Sequence, residues 1–125
     1  WAGRTASADW LVEVEEEGTV RALAPDHSRL ATIPARGVIV TSRSDDGRFD
    51  FVSRFFAPRV GIDEDPVTGS AHCALAPYWS HRLERSVLTG FQASVRGGVV
   101  HVRDLGQRVE LEGRAVTVLR GELLV

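Results

Sequence analysis

Hydrophobic and polar positions along this chain follow two periods, and the change between them divides it into strands, one long helix, and strands again. Asp9-Trp10-Leu11-Val12-Glu13-Val14 alternates and is rich in β-formers, which predicts a strand. A turn over residues 15–18 follows, with residues 19–23 continuing extended. Pro25-Asp26-His27-Ser28 reads as a helix entry, because proline is tolerated in a first turn and Asp or Ser caps unpaired N–H groups. That helix is short, residues 28–32, since Pro34 pushes Ile33 out of the helical region. His27 reads as a solvated or capping residue.

Gly37-Val38-Ile39-Val40-Thr41-Ser42 is a near-continuous β-branched run and predicts a buried strand. Residues 43–47 contain Asp-Asp-Gly, a turn signal, and residues 49–56 form another strand. Arg54 lies among its aromatics, so it must point outward or find a carboxylate. Pro58 ends the ladder, and Gly61 frees the backbone just before three acids.

From Thr68 the period lengthens. Ala71, Ala74, Leu75, Tyr78, Trp79 and Leu83 fall at helical spacing, with Pro77 kinking the helix by removing the bond to the Cys73 carbonyl. His72 and Cys73 read as a packed first turn. After Gly90 the period returns to two, over residues 91–96, 99–103, 108–111 and 115–119, split by glycine-containing turns; Gly121-Glu122-Leu123 closes the chain. Val100/Val102, Val109/Leu111 and Val116/Val118 are the expected inward pairs of an antiparallel meander. The whole is an α+β domain, mainly antiparallel strands wrapped around one long central helix.

Composition narrows the classes. A chain of 125 residues is one domain or a piece of one, with 43% apolar and 26% charged residues, ordinary for a globular protein. A net charge of −2 with both signs interleaved gives no footprint for nucleic acid or anionic membrane. The single cysteine, Cys73, excludes an internal disulfide framework and argues against a zinc–cysteine cluster, so a cytoplasmic location is expected. With no methionine and Trp1 first, the chain is expected to begin inside a longer protein.

The chemistry concentrates where the acids meet the helix. A helix start exposes N–H groups and partial positive charge, and Thr68-Gly69-Ser70 offers a small, open version with two hydroxyls, suited to a carboxylate or phosphate. Asp65 lies directly upstream. Under the opposing influences of helix dipole and burial, it is a candidate proton-transfer partner. Two other readings stand beside this one. Asp65 and Thr68 could cap the helix while Asp63 and Glu64 are solvated. Alternatively, Asp63-x-Asp65 could bind Mg²⁺ in a phosphate-transferring hydrolase, although the proline after Asp65 and the absence of a phosphate loop count against it.

Phe55-Phe56-Ala57-Pro58, Gly61-Ile62-x-Glu64-Asp65-Pro66-x-Thr68-Gly69-Ser70-Ala71 and Gln92-Ala93-Ser94-x-Arg96-Gly97-Gly98 closely resemble the phenazine-biosynthesis PhzF-like family. The resemblance extends from Asp9-Trp10-Leu11-Val12 to Gly121-Glu122-Leu123. It implies a diaminopimelate-epimerase-like fold, in which two similar domains each wrap strands around a helix and the active site lies between them. This chain resembles the C-terminal domain alone, residues 1–125, without the N-terminal domain. The family's phenazine enzyme isomerises a dihydro-3-hydroxyanthranilate by cofactor-free proton shuttling. The principal acid/base there is an N-terminal-domain glutamate, helped by a Gly-His pair; neither has a counterpart here.

By that resemblance Asp65 is the catalytic contribution of this half and contacts the substrate, while Gly69 and Ser70, with Thr68 beside them, hold its carboxylate. In the epimerases a cysteine just before this helix is one of two bases. Asp65 takes that place here, and Cys73 is offset into the helix. No cofactor and no metal are implied, and the implied partners are a small carboxylate-bearing substrate, the missing domain and a second copy in a homodimer. The face near Asp65 and Gly97-Gly98 is then expected to be covered by another chain or unusually exposed. The alternative function is a non-catalytic anion-binding or interaction domain that keeps the fold.

Overall fold

A computed structural model describes residues 1–124. Strands β1 (Ala2–Arg4) and β2 (Trp10–Glu13) are followed by helices α1 (Glu17–Ala22) and α2 (His27–Leu30) and strands β3 (Val38–Arg43) and β4 (Phe51–Phe56). A single 3-10 turn at Pro58–Val60 leads to α3 (Gly69–Leu83), and β5 (Val87–Gln92), β6 (Gly98–Asp104) and β7 (Val109–Glu112) complete the order. All seven strands form one sheet whose spatial order is the chain order.

Four of the six neighbouring pairs are antiparallel, whereas β2–β3 and β4–β5 are parallel. Each parallel pair has helices in its connection, α1 and α2 in one case and α3 in the other, because a crossover must carry the chain back to the same end. Only β5–β6–β7 is the expected meander.

Helix α3 is the axis of the main core. Ala71, Leu75 and Trp79 meet Leu11 of β2, Ile39 of β3, Phe51 and Phe55 of β4, Leu88 of β5, and Val100 and Val102 of β6, with Leu111 of β7 packed alongside. One helix therefore touches strands across nearly the whole sheet, which wraps it. Fully buried Leu75 alone is worth roughly 1.5–3 kcal/mol of transfer free energy. The opposite face of the central strands packs Val40, Val52 and Phe56 against Val20 of α1. Both faces of β3 and β4 are thus covered, which is why burial along these strands does not alternate. Between the layers, Trp79 Nε1 donates to Thr41 Oγ1 at 3.0 Å, and that hydroxyl donates to the Val52 carbonyl at 2.7 Å.

Several expectations are corrected. Residues 19–22 are helical rather than extended: α1 forms there, since Val20 finds an apolar face to cover and Arg21 pairs with Glu17 one turn earlier. His27 opens α2 half-buried, its ring 6.2 Å from Phe56, while Asp26 is the cap, accepting from the Arg29 amide at 3.0 Å. The strand expected over residues 91–96 lies earlier, as β5. The strand expected over residues 115–119 does not form, and Val116 and Val118 are 84% and 93% exposed instead of inward. Alternation by itself does not make a strand, which also needs a hydrogen-bonding neighbour and a face to cover. Among the described residues no helix is long and apolar enough to cross a membrane.

Candidate active site

The segment between β4 and α3 is tied down at every step. Arg54, on the α1 side of β4, holds Glu64 through Nε–Oε1 at 2.6 Å and Nη2–Oε2 at 2.9 Å. Its remaining nitrogen donates to the Leu23 carbonyl at 2.7 Å, at the end of α1. Arg54 finds the carboxylate that its place among aromatics demanded rather than pointing out to solvent, and Glu64 is corrected from a solvated acid to a half-buried anchor. The Asp65 amide then donates to the Phe55 carbonyl at 3.0 Å, and Ser94 Oγ donates to the Pro66 carbonyl at 2.8 Å.

Gln92, fully buried at the end of β5, makes the decisive connections. Its Oε1 accepts from the Thr68 amide at 2.8 Å, so its Nε2 must be the donor on the other side. That nitrogen reaches the Asp65 carbonyl at 2.6 Å and Thr68 Oγ1 at 3.1 Å. The Thr68 hydroxyl, with its lone pair occupied, donates to Asp65 Oδ2. The result is a relay from a buried amide through a hydroxyl to one oxygen of a half-buried carboxylate. The other oxygen, Oδ1, carries no hydrogen bond among the described residues.

This geometry disposes of the capping reading. Thr68 occupies the N-cap of α3, yet its side chain makes no cap hydrogen bond, and Asp65 accepts from the hydroxyl rather than from the helix. It also alters the expectation for Thr68, whose amide and hydroxyl donors are both engaged inside the protein. The helix start beyond it is open. Gly69 is exposed, with only Leu111 Cδ1 at 3.7 Å from where a Cβ would stand. Asp63 is exposed, and no three His, Cys, Asp or Glu residues among those described converge on a point where a metal ion could sit.

Ser70 brings in a residue that sequence reasoning missed. Its Oγ accepts from Arg36 Nη2 at 2.9 Å. Arg36, in the connection before β3, also donates Nε to Asp9 Oδ1 at 3.0 Å and pairs Nη2 with Oδ2, and its guanidinium lies over the Phe55 ring. Hydrogen bonding to Asp9 raises the Arg36 pKa further above its ordinary value. Asp9 and Arg36 are 27 residues apart, and neither carries a motif that marks the pairing.

His72 and Cys73 separate. His72 is fully buried, as expected; Nδ1 lies 2.8 Å from the Thr68 carbonyl, an acceptor, so Nδ1 carries the proton and Nε2 is left without a partner. Burial lowers its pKa, keeping the ring neutral, against an opposing pull from the Thr68 carbonyl. Gly90 makes room for it: a Cβ there would stand 2.4 Å from Phe51 Cζ and 3.3 Å from His72 Nε2. Cys73, by contrast, is exposed, and borders a cleft of ≈ 410 Å³ with Trp1, Arg4 and Tyr78 on the next turn of α3. The Gly97-Gly98 turn borders a second cleft, of ≈ 700 Å³, with Val67 and Val116. Val95 and Val99 beside that turn are exposed.

Comparison with known proteins matches the chain to a family. The model described as phenazine biosynthesis-like protein matches residues 2–121. An uncharacterized isomerase of Pseudomonas aeruginosa is 55% identical over 113 residues, which are 90% of this chain and 42% of that protein. A second uncharacterized isomerase, from Halalkalibacterium halodurans, is 50% identical over 117 residues, 94% of this chain and 44% of that protein. The crystal structure of a phenazine biosynthesis protein of the PhzF family from Enterococcus faecalis aligns with a TM-score of 0.88 at 39% identity, covering 99% of this chain and 46% of that one. The chain thus spans less than half the length of the relatives it matches. The α+β, diaminopimelate-epimerase-like fold is the fold of these neighbours. On the family match and the shared fold together, the chain belongs to the phenazine biosynthesis-like, PhzF family.

Proposed function

We propose that this chain is the C-terminal half of a cofactor-independent PhzF-like isomerase, which moves a proton on a small carboxylate-bearing substrate. The observation that carries the proposal is the Asp65 carboxylate, held at Oδ2 by the Thr68 hydroxyl and open at Oδ1, immediately before the exposed start of α3. An ionised carboxylate is an acceptor only, so the open oxygen can take a proton from a bound substrate or orient the group that does. Fixing its partner oxygen lowers the cost of positioning it. The unpaired N–H groups of the helix start suit a substrate carboxylate, with Gly69 allowing close approach and Ser70 adding a hydroxyl. Thr68 serves the site by holding Asp65.

The relatives' names, uncharacterized isomerases, support the reaction class and name no substrate. In this reading the principal acid/base, a glutamate, comes from an N-terminal domain outside the chain, and the site is completed in the cleft between the two. A homodimer and a cytoplasmic location belong to the same proposal. A proton-transfer isomerase washes solvent deuterium into its substrate, so full-length protein in D₂O with a panel of small unsaturated carboxylic acids should label at least one of them. Asp65→Asn should abolish that labelling while leaving the fold intact. Labelling at the wild-type rate by Asp65→Asn overturns the role of Asp65. Labelling by the 125-residue chain alone overturns the requirement for a second domain.

A further inference from the structure

We infer that Arg36, anchored on Asp9, is a positioning residue that orients the Ser70 hydroxyl toward a bound carboxylate; this rests on the anion-holding role proposed above for Gly69 and Ser70. The argument begins with direction. A guanidinium has donors and no acceptor, so the 2.9 Å contact from Arg36 Nη2 to Ser70 Oγ occupies a lone pair of the hydroxyl. The Ser70 proton is thereby turned away from Arg36 and left to donate elsewhere. Without Arg36 the hydroxyl would rotate, and the usual alternative for a serine in a first helical turn is a bond to local backbone.

Arg36 is itself fixed. Nε and Nη2 grip both oxygens of Asp9, whose side chain is 1% exposed, and the guanidinium lies 5.4 Å from the Phe55 ring centroid. The Arg36 amide also donates to the Ala8 carbonyl at 3.3 Å, tying the two ends of the ion pair's backbone together. Such a two-pronged pair holds the fork in one orientation, which a lysine cannot reproduce. Asp9 also balances the charge of Arg36. The pair therefore adds little net attraction for an anion, and its contribution is the direction of the hydroxyl. A purely structural reading, in which the pair only fastens the segment before β3 to that before β2, leaves unexplained why the third donor direction of the fork ends on Ser70.

The test is a double-mutant cycle read by acetate binding to full-length protein, followed through the amide NMR shifts of Gly69 and Ser70. Arg36→Gln should weaken acetate binding roughly fivefold, the size of one hydrogen bond. Ser70→Ala should weaken it similarly, and the double variant should be no worse than Ser70→Ala alone. Arg36→Lys, which keeps a cation beside Asp9, serves if Arg36→Gln fails to fold, with the same loss expected. Wild-type acetate affinity in both Arg36 variants, or an Arg36 effect of full size in the Ser70→Ala background, overturns the inference while the anion site stands. No response of either amide to acetate in the wild type overturns the anion site itself, and this inference with it.

Discussion

The hydroxyl of Thr68 donates to the carboxylate of Asp65, three residues back and outside the helix that Thr68 opens. A threonine at this position ordinarily turns its oxygen toward the helix as an acceptor. Here Gln92 has taken the Thr68 amide and one lone pair of the hydroxyl, so the remaining direction for the proton is the aspartate. The orientation of one side chain on β5 thus determines which oxygen of Asp65 stays open.

Replacing Thr68 by valine keeps the shape and removes the donor. Thr68→Val should lower solvent-deuterium labelling at least tenfold, because Asp65 loses its fixed orientation, while costing only about 1 kcal/mol of stability. Labelling unchanged beside a measurable loss of stability would assign Thr68 to the scaffold alone.

Gln92→Leu should be far more damaging to the fold than its conservative volume suggests. It leaves the Thr68 amide and the Asp65 carbonyl without partners in a buried place, so a loss of about 2–3 kcal/mol is expected. The check is a urea midpoint that falls with an unchanged slope. A shift worth less than about 1 kcal/mol would mean that water reaches those groups.

The Arg54–Glu64 pair has side chains only 11% and 16% exposed, and Arg54 also closes the end of α1. Glu64→Gln should cost roughly 2 kcal/mol, since it leaves a largely desolvated cation without its counter-charge. Arg54→Met should cost at least as much through the lost α1 contacts. Chemical unfolding of the two variants measures both, and the reverse order would show that the carboxylate rather than the guanidinium holds the segment.

His72 gives the chain a pH dependence of known sign. Burial lowers its pKa in the folded state, so as pH falls the unfolded chain takes up the proton first, near the ordinary value of 6.5. Stability is complete above that value and is lost as pH falls from it toward the lower folded value. Stability should therefore fall between pH 7.5 and 5.5, with a slope no steeper than about 1.4 kcal/mol per pH unit for one proton. His72→Gln, which keeps a donor for the Thr68 carbonyl, should remove that slope. Glu17 titrates separately: burial raises its pKa, but the Asp45 amide and Arg21 outweigh this and hold it below 4.5, so its contribution is lost only at lower pH.

Period and composition carried much of this protein. The β-branched run of β3, the phenylalanine-rich β4 and the 3.6-residue spacing of α3 are visible because burial on two faces, or on one stripe, leaves a pattern in the chain itself. The junction at residues 61–70 was legible too, since three acids, a proline and Thr-Gly-Ser are unusual company. Segments whose conformation depends on a distant surface were not. Val20 makes α1 a helix because Val40 and Phe56 await it, and Val116 and Val118, alternating like a strand, lie exposed outside any strand.

The site divides in the same way. Its residue types, Asp65 ahead of Thr68, Gly69 and Ser70 at the start of a helix, are local, and the sequence by itself determined them. Which oxygen is held, by what, and which hydroxyl is aimed depend on Gln92, 24 residues beyond Thr68, and on Arg36, 34 residues before Ser70. A hydrogen bond is short and directional, so its partners are chosen by the packing of the whole sheet around α3, and only the tertiary structure decides them.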